Sequence, residues 1–206
     1  MNSRIPVVTL LIAAALLSAC SGTKPSHFYL LSALPGSNAG KPNPTSGRSV
    51  ALAVGPIELP KHVDRPQIVT FSSINKIELS EFDRWAEPLA DNFSRVLADN
   101  LAVLMPTEQV FVYPWKRTTP FDYQITVEVS TFAVRPNGNV ALVARWSVLS
   151  KTGKELILSR QSNYSENLRG GGFEPIVAAM SRTVASLSGE IAAAVKSLAR
   201  NESVAN

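Results

Sequence analysis

One cysteine, Cys20, stands in 206 residues, so the chain can form no internal disulfide and no cysteine-clustered metal site. There are two histidines, His27 and His62. Neither has a second histidine or a cysteine at metal-ligand spacing, which argues against zinc. The 20 basic and 16 acidic side chains leave a mild +4. The basic residues make no run and no helical face, so nucleic acid is a poor partner. No Gly-x-Ser-x-Gly elbow is present, nor the Gly-Lys-Ser/Thr ending of a phosphate loop. The apolar run from Pro6 to Leu17 falls short of the roughly 20 residues that span a bilayer.

What is there begins with that run. Arg4 precedes it, and small Ser18 and Ala19 follow it, which is the order of an export signal. Leu17-Ser18-Ala19-Cys20 resembles the bacterial lipobox. Residues 1–19 are therefore expected to be removed, and Cys20 to become a lipid-modified first residue. That covalent lipid is the only prosthetic group expected. Three acyl chains on one residue would hold the protein firmly, since one binds marginally and two bind stably. Ser21, rather than aspartate, follows the cysteine and suggests sorting to the outer membrane. Residues 20–27 form a short tether. The seven residues Ser21 to His27 reach about 25 Å at most, so the domain stays near its membrane. Any partner at the other membrane must come to it.

With 45% hydrophobic and 17% charged residues, the remainder can build a core. One domain is expected over residues 28–200, with a polar, frayed tail at 201–206. Phe28 to Leu31 reads as a strand. Pro35 to Gly47, rich in Pro, Gly, Ser and Asn, reads as an irregular connection. Ser49 to Val54 looks like a strand ended by Gly55-Pro56. Gln67 to Phe71 and Lys76 to Leu79 suggest a hairpin. Pro88 suits a helix's first turn. Leu89, Phe93, Val96, Leu97, Leu101 and Leu104 then keep helical spacing up to Pro106. Gln109 to Tyr113 is a short strand. Tyr123 to Val134 alternates, Asn137-Gly138 turns, Val140 to Leu149 returns and Leu156 to Tyr164 completes a meander. After Arg169-Gly-Gly-Gly, Pro175 opens a long helix with an apolar stripe from Ile176 to Leu198. The fold class is α+β: a mostly antiparallel sheet with two helices on one face. No internal repeat is visible.

Candidate chemistry is thin. His62 near Asp64 could serve a hydrolytic triad, yet a histidine in a surface turn is the commoner case. Glu78, Glu81, Asp83 and Glu87 could pair carboxylates for glycoside chemistry. Clustered acids are more often a solvated segment. The glycines after Arg169 could hold an anion at a helix N-terminus, but usually make a flexible connector. The long helix's stripe could be an oligomer seam, although packing on the sheet is the more frequent cause.

One series goes beyond patterning. Val54-Gly55-Pro56-Ile57-Glu58-Leu59-Pro60 is followed by Val63-Asp64-Arg65-Pro66-Gln67-Ile68-Val69, then by Arg84-Trp85-Ala86-Glu87-Pro88-Leu89. With the lipobox, the meander and the terminal helix in the same order, the chain resembles the paraquat-inducible protein C family. These are the auxiliary lipoproteins of ABC-type transport systems linked to MCE-domain proteins. The resemblance implies no enzyme. It implies a homo-oligomeric ring on the periplasmic face of the outer membrane, docking an MCE-domain tube and its inner-membrane permease system. Lipid or another hydrophobic cargo would move along the tube. Leu59, Pro60, Asp64, Arg65, Pro66, Gln67, Trp85 and Pro88 carry the resemblance. They either form an interface or pin the domain's own turn and core. An assembly or plug lipoprotein of an outer-membrane barrel is the alternative role, and a periplasmic hydrolase a third.

Overall fold

The computed structural model describes residues 24–36, 50–105, 107 and 109–205. The expected signal, Cys20, Ser21, most of the proline-rich connection and Pro106 lie outside the described residues. Among the described residues, eight strands and two helices follow in the order β1 (His27–Tyr29), β2 (Leu52–Glu58), β3 (Gln67–Ser73), β4 (Lys76–Trp85), α1 (Leu89–Leu104), β5 (Val110–Val112), β6 (Tyr123–Val134), β7 (Asn139–Ser150), β8 (Leu156–Asn167) and α2 (Phe173–Ala205).

The class is α+β as expected, but the sheet is mixed. The β3–β4 hairpin and the β6–β7–β8 meander are antiparallel. The pairs β1–β4, β2–β5, β2–β6 and β3–β6 are parallel. Local alternation reveals hairpins but carries no direction for strands joined by long connections. Strand β6 organises the sheet. It takes β7 along one edge, and β2 and then, at its own end, the middle of β3 along the other.

The inward face follows from β6. Tyr123, Ile125, Val127 and Val129 are buried, with polar residues between them. A bulge between Val129 and Thr131 inserts one residue, so inward positions become even-numbered: Phe132 and Val134. Ala133 then faces outward, into a small second cluster with Val63 and Val69. Leu52 and Val54 of β2, and Leu142, Ala144, Trp146 and Val148 of β7, continue the inward face.

Both helices close over that face. Leu89, Phe93, Val96, Leu97 and Leu101 of α1 are buried, and Phe93 meets Phe132 edge-on at 5.3 Å between ring centres. The stripe Ile176, Met180, Val184, Leu187, Ile191 and Val195 of α2 joins the same core. It is therefore packed within the domain. Helix α2 begins two residues before Pro175 and runs on to Ala205, so it takes in residues 200–205.

Two other boundaries move. Strand β2 continues through Gly55-Pro56 by a register shift between Val54 and Ile57. Gly55 permits this because its φ is +123° and a Cβ there would come within 2.5 Å of the Tyr113 Cβ. Strand β1 stops at Tyr29, because the backbone beyond it binds helices instead of a strand. No helix among the described residues is long and apolar enough to cross a membrane.

Candidate functional site

The segment after β1 is clamped to the helices by side chains. Asn92 Oδ1 of α1 accepts from the Leu31 amide at 2.6 Å, and Asn100 Oδ1 accepts from the Leu34 amide at 2.7 Å. Between them the Ser32 amide donates to Ser181 Oγ of α2 at 3.0 Å. The two asparagines lie eight residues apart, so they share one helix face and track an extended chain. Asn100 also donates from Nδ2 to Ser188 Oγ at 3.1 Å, tying α1 to α2. Nothing in the apolar spacing of α1 marked these residues. The available signal was two asparagines on the buried stripe of an otherwise aliphatic helix. Asn100 is fully buried. Asn100→Ala strands the Leu34 amide and cuts the tie to Ser188, so a loss of about 1–3 kcal/mol is expected in chemical denaturation.

A carboxylate fastens β1 from the other side. Asp83 Oδ1 accepts from Tyr29 OH at 3.0 Å and lies 3.1 Å from His27 Nδ1. Asp83 Oδ2 accepts from Ser80 Oγ at 2.8 Å. The Ser80 hydroxyl in turn accepts from the Asp83 amide. Serine and histidine both face the carboxylate and not each other, so this is no nucleophile–base pair. Burial opposes ionisation of Asp83, but the hydrogen bonds from Ser80, Tyr29 and His27 outweigh it and hold the carboxyl below its ordinary 3.8. The same burial, then the bond to Asp83, raises the Tyr29 hydroxyl. Because the Asp83 carboxyl is depressed, the latch contributes fully above pH 3.8 and is lost as pH falls through the lower folded value. Amide exchange in β1 should therefore accelerate selectively under such acid, and Asp83→Asn should remove that dependence.

The motif residues converge on one knot. After β2, Pro60 O accepts from the Val63 and Asp64 amides at 2.9 and 3.1 Å, closing a turn. Arg65 Nε donates to Gln67 Oε1 at 3.2 Å. Pro66 O accepts from the Trp85 amide at 2.8 Å, joining the loop to the end of β4. Trp85 itself is buried in the main core. Leu59 packs against both clusters. Pro88 caps α1 with its carbonyl, which accepts from the Asp91 and Asn92 amides at 3.1 Å. Asp64 Oδ1 faces the Ala90 amide at 3.4 Å, so a loop carboxylate serves the first turn of α1. Asp64, Pro66 and Pro88 remain exposed at the surface of this knot.

The remaining candidates do not assemble. His62 packs edge-on against Phe71, 5.8 Å between centres. Glu78, Glu81 and Asp83 lie along β4 and Glu87 beyond it, where it pairs with Arg95. Among the described residues, no three His, Cys, Asp or Glu group to hold a metal. A second polar cluster sits beneath α2: Trp146 Nε1 donates to Ser162 Oγ at 3.0 Å, and Ser162 and Tyr164 both donate to Glu190. Burial, then Glu190, pushes the Tyr164 hydroxyl up to about 12. These groups bind each other, fastening α2 to β8.

The described residues thus present a clamped N-terminal segment beside a loop–strand–helix knot. The sequence model of the ABC-type transport auxiliary lipoprotein component matches residues 29–192. The chain belongs to this family. The match begins at Tyr29 within β1 and ends inside α2, so it takes in the clamp and the knot together. No curated protein matches the chain. Among solved structures, an uncharacterised protein shares 18% identity over 84% of this chain and 99% of its own, with a TM-score of 0.68. Protein XCC0632 from Xanthomonas campestris shares 14% identity over 87% of this chain and all of its own, with a TM-score of 0.64. Both share the fold of this auxiliary lipoprotein. The PelC dodecamer from Paraburkholderia phytofirmans is more remote, at 12% identity over 70% of this chain and 87% of its own and a TM-score of 0.43.

Proposed function

We propose that this auxiliary lipoprotein is held at the periplasmic face of the outer membrane by lipid on Cys20, and that it docks an MCE-domain tube. The tube and its inner-membrane permease would move lipid or another hydrophobic cargo between membranes. The family match over residues 29–192 is the observation that carries this reading. The short link from Cys20 to a firmly clamped β1 supports it. A domain seated this close to one bilayer can receive a long partner but cannot cross to it. The reading also has copies of the chain form a ring around the tube's tip. The knot's exposed rim, with Asp64, Pro66 and Pro88, is the surface we assign to partner contact.

Affinity capture through the lipidated chain tests this directly. An MCE-domain protein should be retained in stoichiometric amount, and the purified chain should be larger than a monomer. A chain that stays monomeric and captures no MCE-domain protein overturns the reading. A stoichiometric outer-membrane barrel in its place would favour the plug role.

A further inference from the structure

Strand direction shows from which end of the domain the chain before β1 arrives. Strand β1 pairs parallel with β4, with His27 opposite Asp83 and Tyr29 opposite Trp85. The chain before His27 therefore arrives from the side of the β3–β4 turn, where β4 begins at Lys76. Cys20 lies seven residue steps before His27, a reach of about 23 Å at the rise of an extended strand. Seven steps back along β4 from Asp83 arrive at Lys76, beside that turn. The lipid site and the hairpin tip are thus within reach of a common plane.

The tip, Ser73-Ile74-Asn75-Lys76, is polar but for one large aliphatic residue, which is presented to its surroundings. Ile74, in the turn, is 81% exposed, the highest of any large hydrophobic among the described residues. Ile77 and Leu79 follow on β4, opposite Phe71 and Val69, and both remain exposed. Three exposed aliphatic side chains thus lie along the end of the hairpin, with exposed Asn75, Lys76 and Glu78 between them. A stable dimer needs about 800 Å² per partner, which three aliphatic side chains on a projecting turn do not supply. A bilayer interface asks for less, because an apolar edge can sit in the headgroup–acyl boundary without matching any shape. The carboxylates Glu78 and Glu81 lie behind the tip, which limits entry to the turn itself.

We infer that the β3–β4 hairpin, led by Ile74, enters the boundary of the bilayer that holds Cys20 and fixes the domain's orientation on it. The inference rests on the lipoprotein reading above. The parallel β3–β6 contact, Thr70 opposite Val134, places the β6–β7 turn at the same membrane-facing end. The β7–β8 turn, with exposed Leu156 just beyond it, lies at the other end.

The test uses the mature, lipidated chain in vesicles of phosphatidylethanolamine and phosphatidylglycerol. Cys20 is the only cysteine and its thiol is blocked by lipid, so Ile74→Cys and Leu156→Cys each accept one environment-sensitive fluorophore. The probe at 74 should emit at shorter wavelength on reconstitution and be quenched several-fold more by shallow spin-labelled lipid than the probe at 156. Equal quenching at both positions overturns the proposal. A blue shift at 74 that grows with protein concentration and resists lipid quenching also overturns it, and shows docking to a second copy. Mass spectrometry of the N-terminal peptide in the same sample separates the two layers. An unlipidated Cys20 sinks the lipoprotein reading, and the proposal with it. A lipidated Cys20 with an unquenched probe sinks the hairpin proposal alone.

Discussion

Trp85→Ala should cost about 3–5 kcal/mol of unfolding free energy, the range for emptying a buried large aromatic position. The side chain is 5% exposed and belongs to the main core, under the end of β4 and the start of α1. Its backbone is paired twice over: it lies in register with Tyr29 of β1 and donates to Pro66 O of the β2–β3 loop. A cavity here therefore loosens three connections at once, and β1 should lose amide protection before the meander does. Trp85→Phe keeps most of the volume and should recover more than half of the loss. Urea unfolding of the three proteins at neutral pH reads this directly. A Trp85→Ala chain of unchanged stability that no longer captures its partner would instead place the indole at an interface, against its burial.

This residue also shows what could be read from the chain before folding. The series from Leu59 to Pro88 was visible as a motif, and so was the choice between pinning and contact. What decides for Trp85 is long-range: the Pro66–Trp85 bond and the core around the ring join segments that sequence separates. The same division holds elsewhere. The meander was legible because alternation, Asn137-Gly138 and Lys151-Thr152-Gly153 are local signals. The helices were legible because apolar spacing marks the buried face. The parallel pairings were not, since no local pattern states which distant strand a segment will join. Nor was the clamp: Asn92 and Asn100 look like interruptions of an apolar stripe until Leu31 and Leu34 lie against them. Asp83 looked like one more acid in a solvated cluster. Its partners come from one strand three residues away and another more than fifty residues upstream.

The second large effect concerns attachment. Cys20→Ala should move the protein out of the outer-membrane fraction. A single acyl chain gives only marginal binding, with an association constant near 10⁴ M⁻¹, and stable anchoring takes more than one. The hairpin tip cannot replace them. Burying one isoleucine fully contributes about 1.5–3 kcal/mol, roughly a ten- to hundredfold gain at 1.4 kcal/mol per decade. That is enough to set how an already anchored domain leans, and too little to hold a free one. Ile74→Asp should therefore leave the protein in the membrane fraction while abolishing its fixed orientation, and Cys20→Ala should do the reverse of the first. Because the Ala variant can keep its signal uncleaved, a chain exported behind an ordinary cleavable signal and starting at Ser21 is the companion. It should fold, keep the Asp83 latch and appear in the soluble periplasmic fraction. Density-gradient separation of the membranes, followed by detection of each variant, measures the distribution. Retention of the Ser21 chain in the outer membrane would mean that the folded surface, and not the lipid, supplies the seat.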